Sequence, residues 1–203
     1  VEELLSNFGL AYSKINENDS AASYFHKALI YNDTASRRIA QDYLSHFSEM
    51  ARGVILGNLA KVYIASNQPD TAELLLQESI AINGRHNFDT TDALYSTMQL
   101  AELYFNRKKM PQTLTALQHL EQTLDSKPTG ELKLRWLHLE YMYSKAVHDG
   151  AGAMLYLERY VASKDSLEQK SKSLKQTDYV QLLKQQEAEY QIKYLNSKRE
   201  LDK

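Results

Sequence analysis

The sequence predicts an all-α protein, and three observations carry that prediction. Only 7 Gly and 3 Pro interrupt 203 residues, so few positions oppose a continuous helix. Apolar residues recur at i, i+3, i+4 and i+7 over long stretches, the period of a helix with one buried face. No stretch alternates with period two for long enough to make a strand.

Short polar clusters punctuate the helical pattern at Asn16-Glu17-Asn18-Asp19, Asn67-Gln68-Pro69-Asp70, Arg107 to Pro111, and His148-Asp149-Gly150. Each contains residues that turn a chain or cap a helix. Asp19 or Ser20, and Asp70 or Thr71, are expected to cap the helices that follow, by accepting their orphan N–H bonds.

The composition narrows the function. With 43% hydrophobic and 25% charged residues the chain is globular. A formal net charge of −2 provides no broad basic face for nucleic acid. The absence of cysteine excludes disulfides and thiolate chemistry but does not select a compartment. No run of eighteen apolar residues occurs, so no span is expected in this stretch. A start at Val1 and a charged helical end mark it as an expected soluble piece of a longer polypeptide.

Internal repetition comes next. Leu5-Ser6-Asn7-Phe8-Gly9-Leu10-Ala11-Tyr12 aligns with Leu56-Gly57-Asn58-Leu59-Ala60-Lys61-Val62-Tyr63. Nine residues after each Tyr stands Ala21 or Ala72, followed by Phe25 or Leu76 and then Ala28 or Ser79. A third copy carries Leu100, Ala101 and Tyr104, then Thr113, Leu117 and Leu120. A fourth carries Trp136, Leu139 and Tyr143, then Ala153, Leu157 and Tyr160, which requires one extra residue in its turn. Small residues at Gly9, Ala60 and Ala101 let paired helices approach, while Phe25, Leu76, Leu117 and Leu157 are expected to bury against the next pair. Glu140 falls where the fourth copy should be small, and the helices are expected to splay there.

This pattern resembles the tetratricopeptide repeat (TPR). The resemblance implies a TPR-like α-solenoid of antiparallel helix pairs in a right-handed superhelix over residues 1–163, about four repeats in all. The copies begin near 2, 53, 94 and 133, so surplus sequence lies at 33–51, where Ile39, Ala40, Tyr43, Leu44 and Phe47 continue an apolar stripe. Longer helices, or an extra helix between pairs, would absorb it. Residues 164–203 form a charged amphipathic C-terminal helix or linker whose Val180, Leu183, Tyr190, Tyr194 and Leu201 follow a 3–4 spacing. That stripe would make a weak coiled coil, and with it a homodimer, or would dock the tail on repeats. The passage Tyr160-Val161-Ala162-Ser163-Lys164-Asp165-Ser166-Leu167 also resembles the junction in bacterial membrane-anchored TPR regulators with histidine-kinase or DNA-binding output. This second resemblance implies a periplasmic sensor region of a signalling protein. The alternative is a cytoplasmic stand-alone adaptor.

Catalytic chemistry has little to build on. The six histidines include no i, i+4 pair with an intervening Glu, and His46 with Glu49 makes no site without further ligands. Gly150-Ala151-Gly152 precedes a helix without the Lys or Ser of a nucleotide loop, and reads instead as a loosened elbow. Arg37-Arg38 and Lys108-Lys109 are isolated dipeptides. No catalytic residue, metal or cofactor is therefore expected, and the chain is not expected to be an enzyme. The TPR resemblance implies instead a groove for a protein or peptide partner, lined by the second, fifth, ninth and twelfth positions of each first helix. Those are Glu3, Ser6, Leu10 and Ser13; Val54, Gly57, Lys61 and Ile64; Tyr95, Met98, Glu102 and Phe105; and Leu134, Leu137, Tyr141 and Ser144. With Lys61 its one cation, the groove lacks the basic cluster that clamps a terminal carboxylate. Its later half reads as apolar and in need of a cover, unless those side chains simply pack between helices.

Overall fold

The computed structural model describes residues 1–38, 42–85, 90–124 and 130–201. All regular structure among them is helical: α1 (Glu2–Lys14), α2 (Asn18–Arg38), α3 (Asp42–Ala65), α4 (Pro69–Asn83), α5 (Thr90–Asn106), α6 (Met110–Leu124), α7 (Gly130–Ala146) and α8 (Gly150–Leu201). The helices pack in neighbouring pairs along the chain. In addition the main chains of α1 and α3, α3 and α5, and α5 and α7 come close together, whereas those of no two even-numbered helices do among the described residues. The odd-numbered helices therefore form an inner row and the even-numbered helices an outer one.

One turn, used four times, joins the members of each pair. Asn16, Asn67, Lys108 and His148 take left-handed backbone conformations, with φ of 61°, 56°, 58° and 61°. At the first, the Asn16 N–H donates to the Ser13 carbonyl and the Glu17 N–H to the Tyr12 carbonyl. The same two bonds recur at Asn67/Gln68, Lys108/Lys109 and His148/Asp149. This is the Schellman arrangement, which satisfies the last carbonyls of a helix and reverses the chain.

The turn also aligns the copies. Four residues before each left-handed residue stand Tyr12, Tyr63, Tyr104 and, in the fourth, Ser144 rather than Tyr143. Five residues after it stand Ala21, Ala72, Thr113 and Ala153, all buried. The fourth turn thus contains no extra residue, and α7 is shifted by one from the register its aromatic residues implied. Nor is that elbow loose, because the Asp149 Oδ1 accepts the Gly152 N–H at 2.9 Å and caps α8. In the second turn Gln68, not Asp70 or Thr71, is the N-cap of α4, with no side-chain cap bond and Pro69 opening the helix.

Small residues set the closest approaches. A Cβ on Gly9 would lie 2.8–2.9 Å from the Phe25 ring, so α1 can rest on a fully buried Phe25 only because position 9 is bare. Phe25 packs with Ala21, Ala28, Ile55, Leu59 and Val62, and Leu76 with Ala60, Ala72, Leu100 and Leu103. Between pairs, the tyrosines before the second and third turns reach back to the previous outer helix. Tyr63 Oη and His26 Nε2 are 3.0 Å apart, and Tyr104 Oη accepts from Gln77 Nε2 at 3.3 Å.

Longer helices absorb the surplus at 33–51: α2 and α3 run 21 and 24 residues. They are joined along their extensions. Asn32 and Ser48 exchange hydrogen bonds, and Arg52 makes a forked contact with Asp33 at 2.9 and 3.1 Å. Ile39 and Ala40, and the side chains of Tyr43 and Leu44, lie outside the described residues; Phe47 is exposed.

The boundary expected at 163/164 falls inside α8, one continuous helix. Trp136 meets Tyr156 edge-on at 5.9 Å, His138 lies 5.5 Å from Tyr160, and Gly130 sits under Leu167. Those contacts carry α7 antiparallel along the first part of α8, without the splay expected at Glu140. From Glu168 to Leu201 another roughly 50 Å of helix follows at 1.5 Å per residue. α7 is the one helix whose main chain α8 closely approaches among the described residues. The tail therefore does not fold back over the inner row, and Leu183 is 50% exposed. The side chains of Val180, Tyr190, Tyr194 and Leu201 lie outside the described ones.

Leu157 departs from its expected burial, being 40% exposed. It occupies the place of Phe25 and Leu76, but no later helix packs upon it among the described residues. Replacing Phe25 or Leu76 with Ala should therefore lower unfolding free energy by about 2–5 kcal/mol in urea titration. Leu157→Ala, at the equivalent position, should cost under ~1 kcal/mol because little contact is lost.

Candidate partner-binding surface

The inner row is the surface that the repeat architecture presents, and the turn landmarks decide which side chains face it. Counted from Asn16, Asn67 and Lys108, the inner positions of the first three copies are those read from sequence. Counted from His148, the fourth set becomes Arg135, His138, Met142 and Lys145, replacing Leu134, Leu137, Tyr141 and Ser144. Exposure follows the corrected set: His138, Met142 and Lys145 are exposed and Arg135 half-buried, whereas Leu137 and Ser144 are buried.

The apolar later half of the groove is thus not formed. Met98 and Leu137, at 0% and 1% exposure, belong to a core cluster with Leu117, Leu132 and Trp136. Leu134 and Tyr141 are half-buried; the Lys145 ammonium lies 5.3 Å from the Tyr141 ring centre. Ile64 is exposed, and Tyr95, Glu102 and Phe105 are half-buried. Of the residues expected to contact a partner, Lys61, Ile64, Tyr95, Glu102, Phe105, Leu134 and Tyr141 remain at least partly accessible, and Met98 and Leu137 do not.

Polar contacts cross the inner row instead. Arg135 donates to both Glu102 oxygens, at 3.1 and 2.6 Å, tying α7 to α5 through a planar fork. Lys61 donates to Asn58 Oδ1 at 3.1 Å. Lys61 as a whole is exposed, yet partial desolvation of its ammonium holds the Lys61 pKa below the usual lysine value. Arg135 pushes it the same way, and Asp92 and Glu131 oppose. Lys61 is accordingly not the sole cation on this face.

Between α3 and α5 the inner row opens into a cleft of about 200 Å³, lined by Val54, Gly57, Asn58, Lys61, Asp92, Tyr95, Ser96 and Gln99. Gly57 makes it possible: a Cβ there would stand 2.8 Å from Ser96 Oγ and 3.1 Å from Ser79 Oγ. Sequence reading included Tyr95, Gly57, Val54 and Lys61 among the lining positions but missed Ser96 and Gln99. Both are polar residues on an otherwise apolar helical stripe, and that mismatch was the available signal.

A second cleft, about 340 Å³, lies between α6, α7 and α8, lined by Glu121, Lys133, Trp136, Leu137, Arg159, Ala162 and Ser163. Close by, Glu140 is only 6% exposed. Counted from the fourth turn it stands at the place of Leu59 and Leu100, not at the small-residue place, which holds Tyr141. Burial pushes its carboxyl up to about 7, nearby Glu121 adds to the shift, and Trp136 opposes it. No group of three or more His, Asp or Glu among the described residues could hold a metal ion, and His86 lies outside them. No described helix is long and apolar enough to cross a membrane. Neither a scan of protein-family models nor a search of curated protein sequences finds a match for this chain.

The raised carboxyl makes stability depend on pH. Below the ordinary value near 4.5, Glu140 is protonated in both folded and unfolded chains and its burial costs little. As pH rises toward about 7 the unfolded chain loses the proton first, so stability falls. Above about 7 the folded group ionises as well and the loss is complete. Glu140→Gln should therefore raise unfolding free energy above pH 7 by up to roughly 3 kcal/mol. The gain should vanish near pH 4, as read by urea titration at both values.

Proposed function

We propose that this chain is a TPR-type helical scaffold that binds a protein or peptide partner along its inner row. One observation carries the reading: odd-numbered helices meet one another while even-numbered helices do not. Curvature of that kind leaves a continuous surface on the inner side and separated ridges on the outer. The recurrent Schellman turn, and the tyrosine that bridges successive pairs, support a true repeat. A right-handed superhelix is the hand we assign to it. The inner face is polar and mixed in charge, through Lys61, Glu102, Arg135, His138 and Lys145, so recognition rests on hydrogen bonds and charge more than on an apolar trough.

The setting we propose is the sensor or interaction region of a bacterial membrane-associated signalling regulator. Its support is α8, a single helix that leaves the last pair and continues for roughly 50 Å, a suitable rigid connection to an anchor or output domain. A membrane span encoded after residue 203 is the expected finding. A stop codon shortly after that position would favour a stand-alone adaptor.

Selection of phage-displayed random peptides on the purified protein tests the scaffold reading. Enriched peptides should lose at least ~10-fold in affinity on Lys61→Glu or Tyr95→Ala. They should be unaffected by Lys27→Glu or Gln118→Glu on the outer helices. Peptides that depend on the outer substitutions, and ignore the inner ones, would overturn the proposal.

A further inference from the structure

Two buried polar residues, Ser96 and Gln99, line the cleft between α3 and α5, and one Gln99 oxygen has no hydrogen-bond donor. Gln99 lines it and is 5% exposed. Its Nε2 donates to the Tyr95 carbonyl at 3.3 Å, and this fixes the amide orientation, because the flipped form would set two oxygens against each other. The Gln99 Oε1 is then left buried without a hydrogen-bond partner. An unmet buried acceptor of this kind is costly and uncommon.

Ser96 adds a second acceptor by proton counting. Ser79 Oγ donates its one proton to the Gly53 carbonyl at 2.8 Å. In the 2.8 Å contact between Ser79 and Ser96, Ser96 must therefore be the donor. Ser96 Oγ keeps lone pairs and no proton for the cleft. On the wall, Lys61 gives one of its three N–H bonds to Asn58, and the others remain to donate.

Acceptors below and an ammonium donor beside them define a complementary ligand. We infer that this cleft is a specificity pocket for a primary carboxamide, the side chain of an Asn or Gln on the bound partner. Its NH2 group donates to Gln99 Oε1 and Ser96 Oγ, while its carbonyl accepts from Lys61 Nζ. Lys61 and Arg135 disfavour a cation, while Asp92 in the same lining opposes them, so the propylammonium probe below reads the balance directly. A carboxylate would satisfy Lys61 but would set its oxygens against the acceptor floor. The volume of about 200 Å³ holds one such side chain and is several times the ~30 Å³ of a liquid water. The inference rests on the inner row being the binding face.

Fragment titration of the 15N-labelled protein by NMR tests it with four probes: propionamide, N,N-dimethylpropionamide, propionate and propylammonium. Propionamide should give saturable shifts at the Gln99 side-chain NH2 and at the Ser96 and Gly57 amides. It should bind at least ~10-fold more tightly than the other three, since each lacks part of the donor–acceptor match. Gln99→Met should abolish the propionamide response while leaving the rest of the spectrum in place. Should that variant not fold, the ranking of the four probes on the unaltered protein decides. Equal or absent responses, as when water alone satisfies Gln99, overturn the inference, as does a preference for propionate or propylammonium. Retained propionamide binding in Gln99→Met overturns it too. Inner-row peptides with no Asn or Gln requirement would sink the pocket and leave the scaffold reading standing.

Discussion

A helix must end with its last carbonyls satisfied, and in this protein the Schellman turn does so at all four intra-pair connections. The left-handed residue at each turn is a fixed point from which every other position can be counted. Asn fills it in the first two copies, and Asn reaches left-handed backbone more easily than most residues. In the others, His148 shares part of that preference and Lys108 does not, so tertiary packing holds the geometry at Lys108. Once the turn is set, a buried small residue follows five positions later, and the paired helices cross where their side chains are smallest.

The same constraint explains how the pairs differ. Gly9 accommodates the Phe25 ring, and Gly57 accommodates the hydroxyl pair of Ser79 and Ser96. The first is an apolar contact that a larger residue would break. The second is a polar one, buried in the middle of the inner row, where the bare glycine leaves room for the hydroxyls beneath α3. Between the first and second pairs, the extra length of α2 and α3 closes on itself through Asn32, Ser48, Asp33 and Arg52. Insertion there extends two packed helices and leaves the turn geometry unchanged.

Much of this was legible in the residues themselves. Periodicity identified the helices, and the recurrence around Tyr12, Tyr63 and Tyr104 keeps the same register from the first three turns. The fourth copy misled because Trp136, Leu139 and Tyr143 look like repeat markers, whereas the turn places Leu137, Glu140 and Ser144 there. Counting backward from Ala153 and its capping Asp149 would have avoided the slip of one residue. On a helix such a slip rotates every side chain by about 100°, which turned Arg135, His138 and Lys145 into an apparent apolar wall. Leu157 misled for another reason: its burial depends on a following helix, a fact that no local pattern contains. Met98 was placed in the right register, but a position facing inward is covered when its neighbours close over it.

Buried polarity is where the copies stop being interchangeable. A solenoid of four equivalent pairs could place aliphatic residues at Ser96, Gln99 and Glu140, as Leu59 and Leu100 show for the position that Glu140 shares. Below about pH 7 Glu140 is mostly protonated and so avoids burying a full charge there. On the inner row, Glu102 and Arg135 neutralise each other through a fork that also joins two helices. Gln99 has neither remedy: it cannot change its charge, and its own helix supplies an acceptor for its N–H but no donor for its oxygen. The repeat architecture supplies the surface, and this unmatched oxygen distinguishes one place on it from the rest.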